Sequence, residues 1–151
     1  MKIVFAASSG GHFEQLMMMK PLMEKYDSVI LTEKTEYSVG QQDCKVYYLK
    51  QINRKEPLFL WKLLVNTILS LRVYMKERPD VVIMTGVLAT IPFALIMKLF
   101  RKKLIYIESF AKVTSKTQSG SLLYHWADQF YVQWEEMLKL YPKAIYKGGI
   151  Y

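Results

Sequence analysis

The residues best suited to chemistry stand near the amino terminus, in the run Ile3-Val4-Phe5-Ala6-Ala7-Ser8-Ser9-Gly10-Gly11-His12-Phe13-Glu14-Gln15-Leu16. An apolar stretch meets four small residues and then a helical pattern. Gly10 and Gly11 carry no Cβ, so the backbone can turn sharply there and approach a ligand closely. A helix opening at about His12 would present N–H groups and the positive end of its dipole, a cradle suited to phosphate. Ser8 and Ser9 add hydroxyl donors. The pattern falls short of a GxGxxG fingerprint and lacks the Lys-Ser/Thr pair of a P-loop, so a plain strand-to-helix turn explains it equally well. His12 sharpens the question. An imidazole in that place can contact a diphosphate or take a proton from a sugar hydroxyl, whereas the plainer role for a lone histidine is capping or packing. His125, between bulky neighbours Tyr124 and Trp126, reads as structural.

Positioning such a turn requires a sheet. Apolar runs of strand length recur at Ile3–Ala7, Ser28–Thr32, Val46–Leu49, Val81–Thr85, Leu104–Glu108 and Gln129–Val132. Most are continuous rather than alternating, which suits parallel strands covered on both faces. Helical patterns fall between them, near Phe13–Lys25, Leu58–Glu77, Pro92–Phe100, Ser121–Trp126 and Glu135–Leu140. One direct strand-to-strand step is expected around Glu33–Cys44. The alternation predicts an α/β fold, a Rossmann-like doubly wound, mostly parallel sheet in a single domain over residues 1–151.

Val81–Leu99 approaches the length of a membrane span, with Lys98 its only charge. Thr85, Gly86, Thr90 and Pro92 in its middle instead predict a strand, a loop over Gly86–Ile91 and a helix with Pro92 in its first turn. Leu58–Met75 is more unusual. Lys62, Asn66 and Ser70 recur every fourth position as a narrow polar stripe, and apolar residues, including Trp61, Leu64 and Ile68, fill most of the remainder. One sheet face cannot cover so much apolar circumference. The helix therefore either packs its second face on neighbouring helices, or meets a partner or a bilayer interface, with Arg54, Lys55, Arg72, Lys76 and Arg78 placed to meet anionic headgroups.

Composition narrows the classes. Of 151 residues, 52% are hydrophobic, enough for a real core, and 21 Lys+Arg against 13 Asp+Glu give a formal charge of +8. That balance suits an anionic partner. A single cysteine, Cys44, and two histidines argue against a disulfide framework, a cysteine-built zinc site or a histidine-rich metal centre, so no metal is expected. No secretory signal is visible at the start, which predicts a cytoplasmic domain. Two rival functions follow from residues alone. A self-sufficient nucleotide-binding enzyme would need a ribose-binding acid after the second strand, where Glu33 is the nearest candidate. A nucleic-acid module would explain the charge, but no RNP, helix-turn-helix or finger pattern accompanies it.

Further matches carry a resemblance. They are Ser8-Ser9-Gly10-Gly11-His12 with Gln15-Leu16, Leu31-Thr32-Glu33-Lys34, Pro79-Asp80-Val81-Val82, and Thr85-Gly86 with Ile91-Pro92. To these add Ile107-Glu108-Ser109-Phe110-Ala111-Lys112-Val113, Leu123-Tyr124 with Ala127-Asp128, and Val132-Gln133-Trp134-Glu135-Glu136. Together they resemble bacterial capsule and exopolysaccharide proteins of the PssD/CpsF type. Those are similar to the membrane-anchoring subunit of the split GlcNAc transferase of eukaryotic dolichol-linked oligosaccharide synthesis. The resemblance covers nearly the whole chain.

What it implies is the N-terminal, acceptor-side half of a MurG-like GT-B glycosyltransferase, placed peripherally at the cytoplasmic face of the cell membrane. The length suits one such half, and the strand and helix runs stop at Lys147-Gly148-Gly149-Ile150-Tyr151, so no second βαβ set is expected. A separate chain would bind the UDP-sugar donor, so no cofactor of its own is expected. The acceptor would be a sugar on a polyprenyl diphosphate, and no nucleic acid would be a partner. Within this frame His12 and Glu108 are the candidates for orienting or deprotonating the acceptor hydroxyl, Glu108 having an equally good alternative as a carboxylate that caps the next loop. Ser9, Gly10, Gly11, Gly86, Ser109 and Lys112 are the candidates for acceptor or phosphate contact. Lys112 stands where relatives often carry Arg, which keeps the charge but loses bidentate geometry. Val87-Leu88-Ala89-Thr90 departs from a further glycine common in relatives, pointing to a more apolar contact there. The polar stretch Thr114–Gly120 reads as a mobile loop over the site or a solvated connection.

Overall fold

Among the described residues seven short strands pair in parallel. A computed structural model describes residues 1–35, 43–86 and 88–151. Most of the expected strand-to-strand step (36–42) and Val87 of the expected apolar loop lie outside the described residues. The strands are β1 (Lys2–Ala7), β2 (Asp27–Lys34), β3 (Lys45–Lys50), β4 (Val81–Met84), β5 (Lys103–Ile107), β6 (Gln129–Val132) and β7 (Ile145–Tyr146). Their order is β3-β2-β1-β4-β5-β6-β7. The chain thus winds outward from β1 to β3, returns across the sheet, and winds the other way from β4. The reversal lies between β1 and β4, which pair from Ile3↔Val81 to Ala6↔Met84. In such sheets ligands bind at the carboxyl ends of the strands, at this switch point. The Rossmann-like expectation is met, and the described part of Val81–Leu99 holds a strand, a 3-10 turn at Leu88–Thr90 and a helix from Ile91 with Pro92 in its first turn.

The helices are α1 (Gly11–Met17), α2 (Lys20–Lys25), α3 (Phe59–Glu77), α4 (Ile91–Leu99) and α5 (Gln118–Leu123). Three expectations shift. The helix expected over Phe13–Lys25 is two, because Pro21 has no N–H to donate and its ring crowds the carbonyl four residues back. Helix α2 restarts with Pro21 in its first turn, and Leu22 and Met23 donate to Met19 O. Helix α5 starts earlier than Ser121 because Thr117 caps it, its hydroxyl accepting from Gly120 N at 2.8 Å. Glu135–Lys139 is a tighter 3-10 helix rather than an α-helix.

The two faces of the sheet are covered unequally. On one, Val4, Ala6, Val82 and Leu104 pack with Val73 and Tyr74 of α3, Phe93 and Met97 of α4 and Leu123 of α5. On the other, Leu16 of α1 and Met23 of α2 cover Phe5 and Ile30, while Val81, Ile105 and Ile107 stay only half-buried.

Helix α3 is turned opposite to the usual amphipathic rule. Asn66 and Ser70 are fully buried, whereas Leu60, Trp61, Leu64, Ile68, Leu71 and Met75 are exposed. The inward stripe has specific work. Asn66 pairs with the end of edge strand β3, accepting from Lys50 N and donating to Lys50 O, both at 2.8 Å. At the last residue of the helix, Glu77 accepts from Lys2 Nζ at 2.7 Å, Tyr47 Oη at 2.5 Å and Lys45 Nζ at 3.4 Å. These bonds, with Lys2 first and Tyr47 next, hold the Glu77 carboxyl down to about 2.

A group depressed on folding stabilises above its unfolded range and loses that stabilisation as pH falls toward the folded value. Glu77→Gln is therefore expected to cost about 2 kcal/mol at neutral pH, the scale of a charged hydrogen bond. That corresponds to about 4–8 °C in Tm for a chain of this size. The gap from wild type should narrow between about pH 4.5 and 2, which thermal melts across that range would read.

Candidate functional site

The switch point brings His12, Thr85 and Gly86 together from segments far apart in sequence. The loop after β1 turns at Gly10, whose φ of 76° lies in the left-handed region that favours glycine. No side chain caps α1 there; Phe13 N and Glu14 N return to Gly10 O. Across the crevice, Thr85 Oγ1 donates to His12 O at 2.8 Å, and His12 Nδ1 lies 2.7 Å from Thr85 O. A carbonyl oxygen only accepts, so Nδ1 carries the proton and Nε2 keeps its lone pair. Gly86, at φ 112°, is required for a second reason. A Cβ there would stand 3.2 Å from His12 Cε1 and Nδ1. The half-buried imidazole is thus held by its Nδ1, and in the neutral ring Nε2 is the nitrogen that carries the lone pair.

The end of β5 forms the next wall. Past Ile107, two buried glutamines replace the sheet partners that the strand has lost. Gln15 of α1 donates to Glu108 O at 3.2 Å and accepts from Phe110 N at 3.1 Å. Gln133 donates to Glu108 O at 2.7 Å and accepts from Ile150 N at 3.0 Å. Trp134 Nε1 donates to Phe110 O at 2.7 Å. A cleft of about 490 Å³ opens between this clamp and α1, lined by His12, Gln15, Ser109, Phe110 and Tyr151 among others.

Glu108 is the main correction to the sequence reading. Only 1% exposed, its carboxylate does not reach the cleft surface. It accepts from Ser109 N at 2.9 Å, Thr117 Oγ1 at 2.8 and 3.0 Å, and Tyr141 Oη at 2.9 Å. Burial, and then the adjacent Glu108 charge, raise the Tyr106 and Tyr141 phenols above their ordinary range, so Tyr141 stays a donor. The alternative left open for Glu108, a carboxylate that organises the next loop, describes these contacts. Gly120 makes room for it, since a Cβ there would fall 2.1 Å from Glu108 Oε2. The mobile-loop reading of Thr114–Gly120 is corrected with it. Thr117 is tied to Glu108, and Ser119 and Gly120 are buried in α5.

The remaining candidates spread along the same edge. Ser9 lies on the first loop and Gly11 opens α1, while the backbone oxygen of Ser109 at the clamp accepts from Lys112 N at 3.0 Å. Lys112 Nζ donates to Ser115 Oγ at 3.4 Å beside it. Trp61, Leu64 and Ile68 are not at this site, lying outward on α3 at 60%, 51% and 46% exposure, so they do not pack on neighbouring helices. His125 is exposed, its ring edge-on to Tyr124.

A second residue acts differently from its sequence reading. Glu33, the nearest ribose-binding acid, is buried and takes Ile52 N at 3.4 Å and the Ser9 backbone N–H, burial pushing its carboxyl up. It braces the glycine loop. Gln15, Thr85 and Gln133 were visible only as parts of matching motifs, and the peptide groups they hold could not be read from a single chain.

The chain can now be set beside known proteins. The profile for "Oligosaccharide biosynthesis protein Alg14 like" matches residues 44–150. The human UDP-N-acetylglucosamine transferase subunit ALG14 is 25% identical over 179 residues, spanning 99% of this chain and 83% of that protein. Its counterpart in Yarrowia lipolytica is 28% identical over 172 residues, spanning 97% and 80%. Among solved structures, MurG of Acinetobacter baumannii superposes with a TM-score of 0.74 at 17% identity, covering 90% of this chain and 43% of its own. The UDP-N-acetylglucosamine 2-epimerase of Rickettsia bellii gives 0.76 at 11%, covering 99% and 45%. The chain spans less than half the length of either, and at these identities the likeness is one of fold, MurG-like and of the GT-B kind. With the family profile matched across residues 44–150, this chain belongs to the Alg14-like family of oligosaccharide biosynthesis proteins.

Proposed function

We propose that this chain is the acceptor-binding, membrane-associated subunit of a two-component glycosyltransferase, acting in capsular or exopolysaccharide synthesis of the PssD/CpsF type. Residues 1–151 serve as the acceptor-side half of a GT-B enzyme and hold a sugar on a polyprenyl diphosphate. A separate subunit brings the UDP-sugar. The observation that carries this reading is the imidazole of His12 at the switch point, its Nδ1 committed to Thr85 O, which leaves Nε2 as the nitrogen to take a proton from the acceptor.

The chemistry follows from that tautomer. The acceptor hydroxyl oxygen attacks the anomeric carbon of the donor while His12 Nε2 takes its proton. The bond from that carbon to the donor diphosphate breaks, and UDP leaves with the electron pair. Gly10 and Gly11 let the backbone come close to the acceptor diphosphate, with Ser9, Ser109 and the Lys112 ammonium as polar contacts. Glu108 acts as a positioning residue, holding the loop that carries Ser109 and Lys112.

Two surfaces support the rest of the proposal. Besides the outward apolar face of α3, Leu95 and Leu99 of α4 and Phe100 just after it are exposed, and Arg72, Lys76 and Arg101 are near them in sequence, a composition suited to an anionic bilayer interface. Among the described residues no helix is long and apolar enough to cross a membrane. The half-buried strip of Val81, Ile105 and Ile107 on the opposite sheet face supports recruitment of the donor-binding subunit. A stand-alone nucleotide-binding enzyme has less support, because the Glu33 carboxylate is turned to Ser9 and Ile52 rather than to a ribose.

The test is reconstitution. Purified chain with UDP-sugar and lipid-linked acceptor is expected to be inert, and adding a donor-binding subunit should put label into the lipid extract. Transfer by the purified chain alone would overturn the two-component reading.

A further inference from the structure

Resting on the acceptor-binding role just proposed, we infer that Phe110 is the platform for the acceptor's sugar ring and so selects a glycosylated lipid diphosphate over a bare one. The ring of Phe110 is half-buried on the cleft that also holds His12. Its peptide group is immobilised at both ends, N–H to Gln15 Oε1 and C=O from Trp134 Nε1. The ring is braced as well. Trp134 lies 4.9 Å away at 43°, and Tyr151 meets it edge-on at 4.9 Å and 73°. Gly149 passes so close that a Cβ there would stand 3.1 Å from Phe110 Cε2.

A hydrophobic side chain held this firmly, on a mostly apolar cleft that also carries His12, Glu14 and Ser109, suits a ligand with one apolar face and a polar rim. A pyranose fits, since its axial C–H groups pack on an aromatic face while its hydroxyls point outward to groups such as Ser109 and His12. A sugar seated there would lie beside the His12 imidazole.

The experiment compares Phe110→Leu and Phe110→Tyr in the two-subunit complex, with a polyprenyl diphosphate carrying one hexose as acceptor and the same lipid diphosphate without sugar as inhibitor. The Leu variant is expected to raise KM for the hexose acceptor about tenfold, the scale of an aromatic contact. Inhibition by the bare lipid and KM for the UDP-sugar should hold, and the Tyr variant should stay within about twofold of wild type. Equal loss toward both lipids, an unchanged acceptor KM, or a Tyr variant as poor as Leu would overturn the platform.

A second readout works without turnover. With Trp61 and Trp126 replaced by phenylalanine, Trp134 is the remaining indole, and its emission should shift on titration with the hexose lipid but not the bare one. Phe110→Leu should abolish that shift. A sugar-dependent shift in a complex that transfers nothing would keep the platform and sink the transfer reading. Transfer with no shift would do the reverse.

Discussion

His12→Ala is expected to lower sugar transfer by the reconstituted pair by about 10²–10⁴-fold, the range a positioned general base contributes. The expectation rests on geometry. Thr85 O accepts a hydrogen bond from Nδ1 at 2.7 Å, and Gly86 packs against the ring, where a Cβ would stand 3.2 Å away, so Nδ1 is committed and Nε2 is the nitrogen left for the acceptor. Alanine also leaves Thr85 O without its partner, which costs about 1 kcal/mol of stability and has to be separated from the catalytic loss. His12→Asn separates them, because an amide can still donate toward Thr85 O but has no basic nitrogen. If Asn and Ala are equally slow while melting and partner co-purification stay near wild type, the imidazole is the base. Recovery by Asn would reduce His12 to positioning, and normal turnover by Ala would remove it from the chemistry.

Glu108→Gln belongs in the same experiment as the competing base. Its carboxylate is enclosed by Ser109 N, Thr117 Oγ1 and Tyr141 Oη, so the amide should cost stability and disturb the loop that follows. A rate loss larger than that of His12→Ala in folded protein would reverse the assignment.

The sheet was legible because parallel strands covered on both faces need unbroken apolar runs, and Phe5, Ile30, Val82 and Leu104 lie in such runs. Its winding then follows from alternation with helices, which is why the sequence alone puts the turn at Gly10–His12 on the carboxyl edge of the sheet. What escaped depends on partners distant in sequence. Nothing near Asn66 says that its amide closes the end of β3, or that Gln15 and Gln133 converge on Glu108 O from opposite sides. The strand β7 is two residues long and leaves no pattern to read. Glu108 shows the limit most plainly. A carboxylate at a strand end has the same sequence signature whether it faces a substrate or turns inward to a threonine and a tyrosine.

The inversion of α3 leads to the other large effect. Replacing Leu64 and Ile68 together with aspartate should weaken binding to anionic vesicles by about 10²-fold or more, since each such side chain contributes about 1.5–3 kcal/mol when fully taken from water. Both are about half-exposed, on the stripe that runs from Trp61 through Leu71 to Met75. Aspartates there remain solvated in the free protein, and the fold is held from the other side of the helix by Asn66, Val73, Tyr74 and Glu77. Near-wild-type melting is therefore expected alongside the loss in vesicle sedimentation. Transfer to acceptor embedded in vesicles should fall with it, while transfer to detergent-dispersed acceptor persists, because the His12 site lies at the sheet edge and not on this face. Replacing Arg72 and Lys76 with glutamine should remove the salt-sensitive part of binding and leave the apolar part. A double aspartate variant that unfolds would instead mark the stripe as core, closed in solution by a surface of another molecule. One that folds and still binds vesicles would move the membrane contact elsewhere.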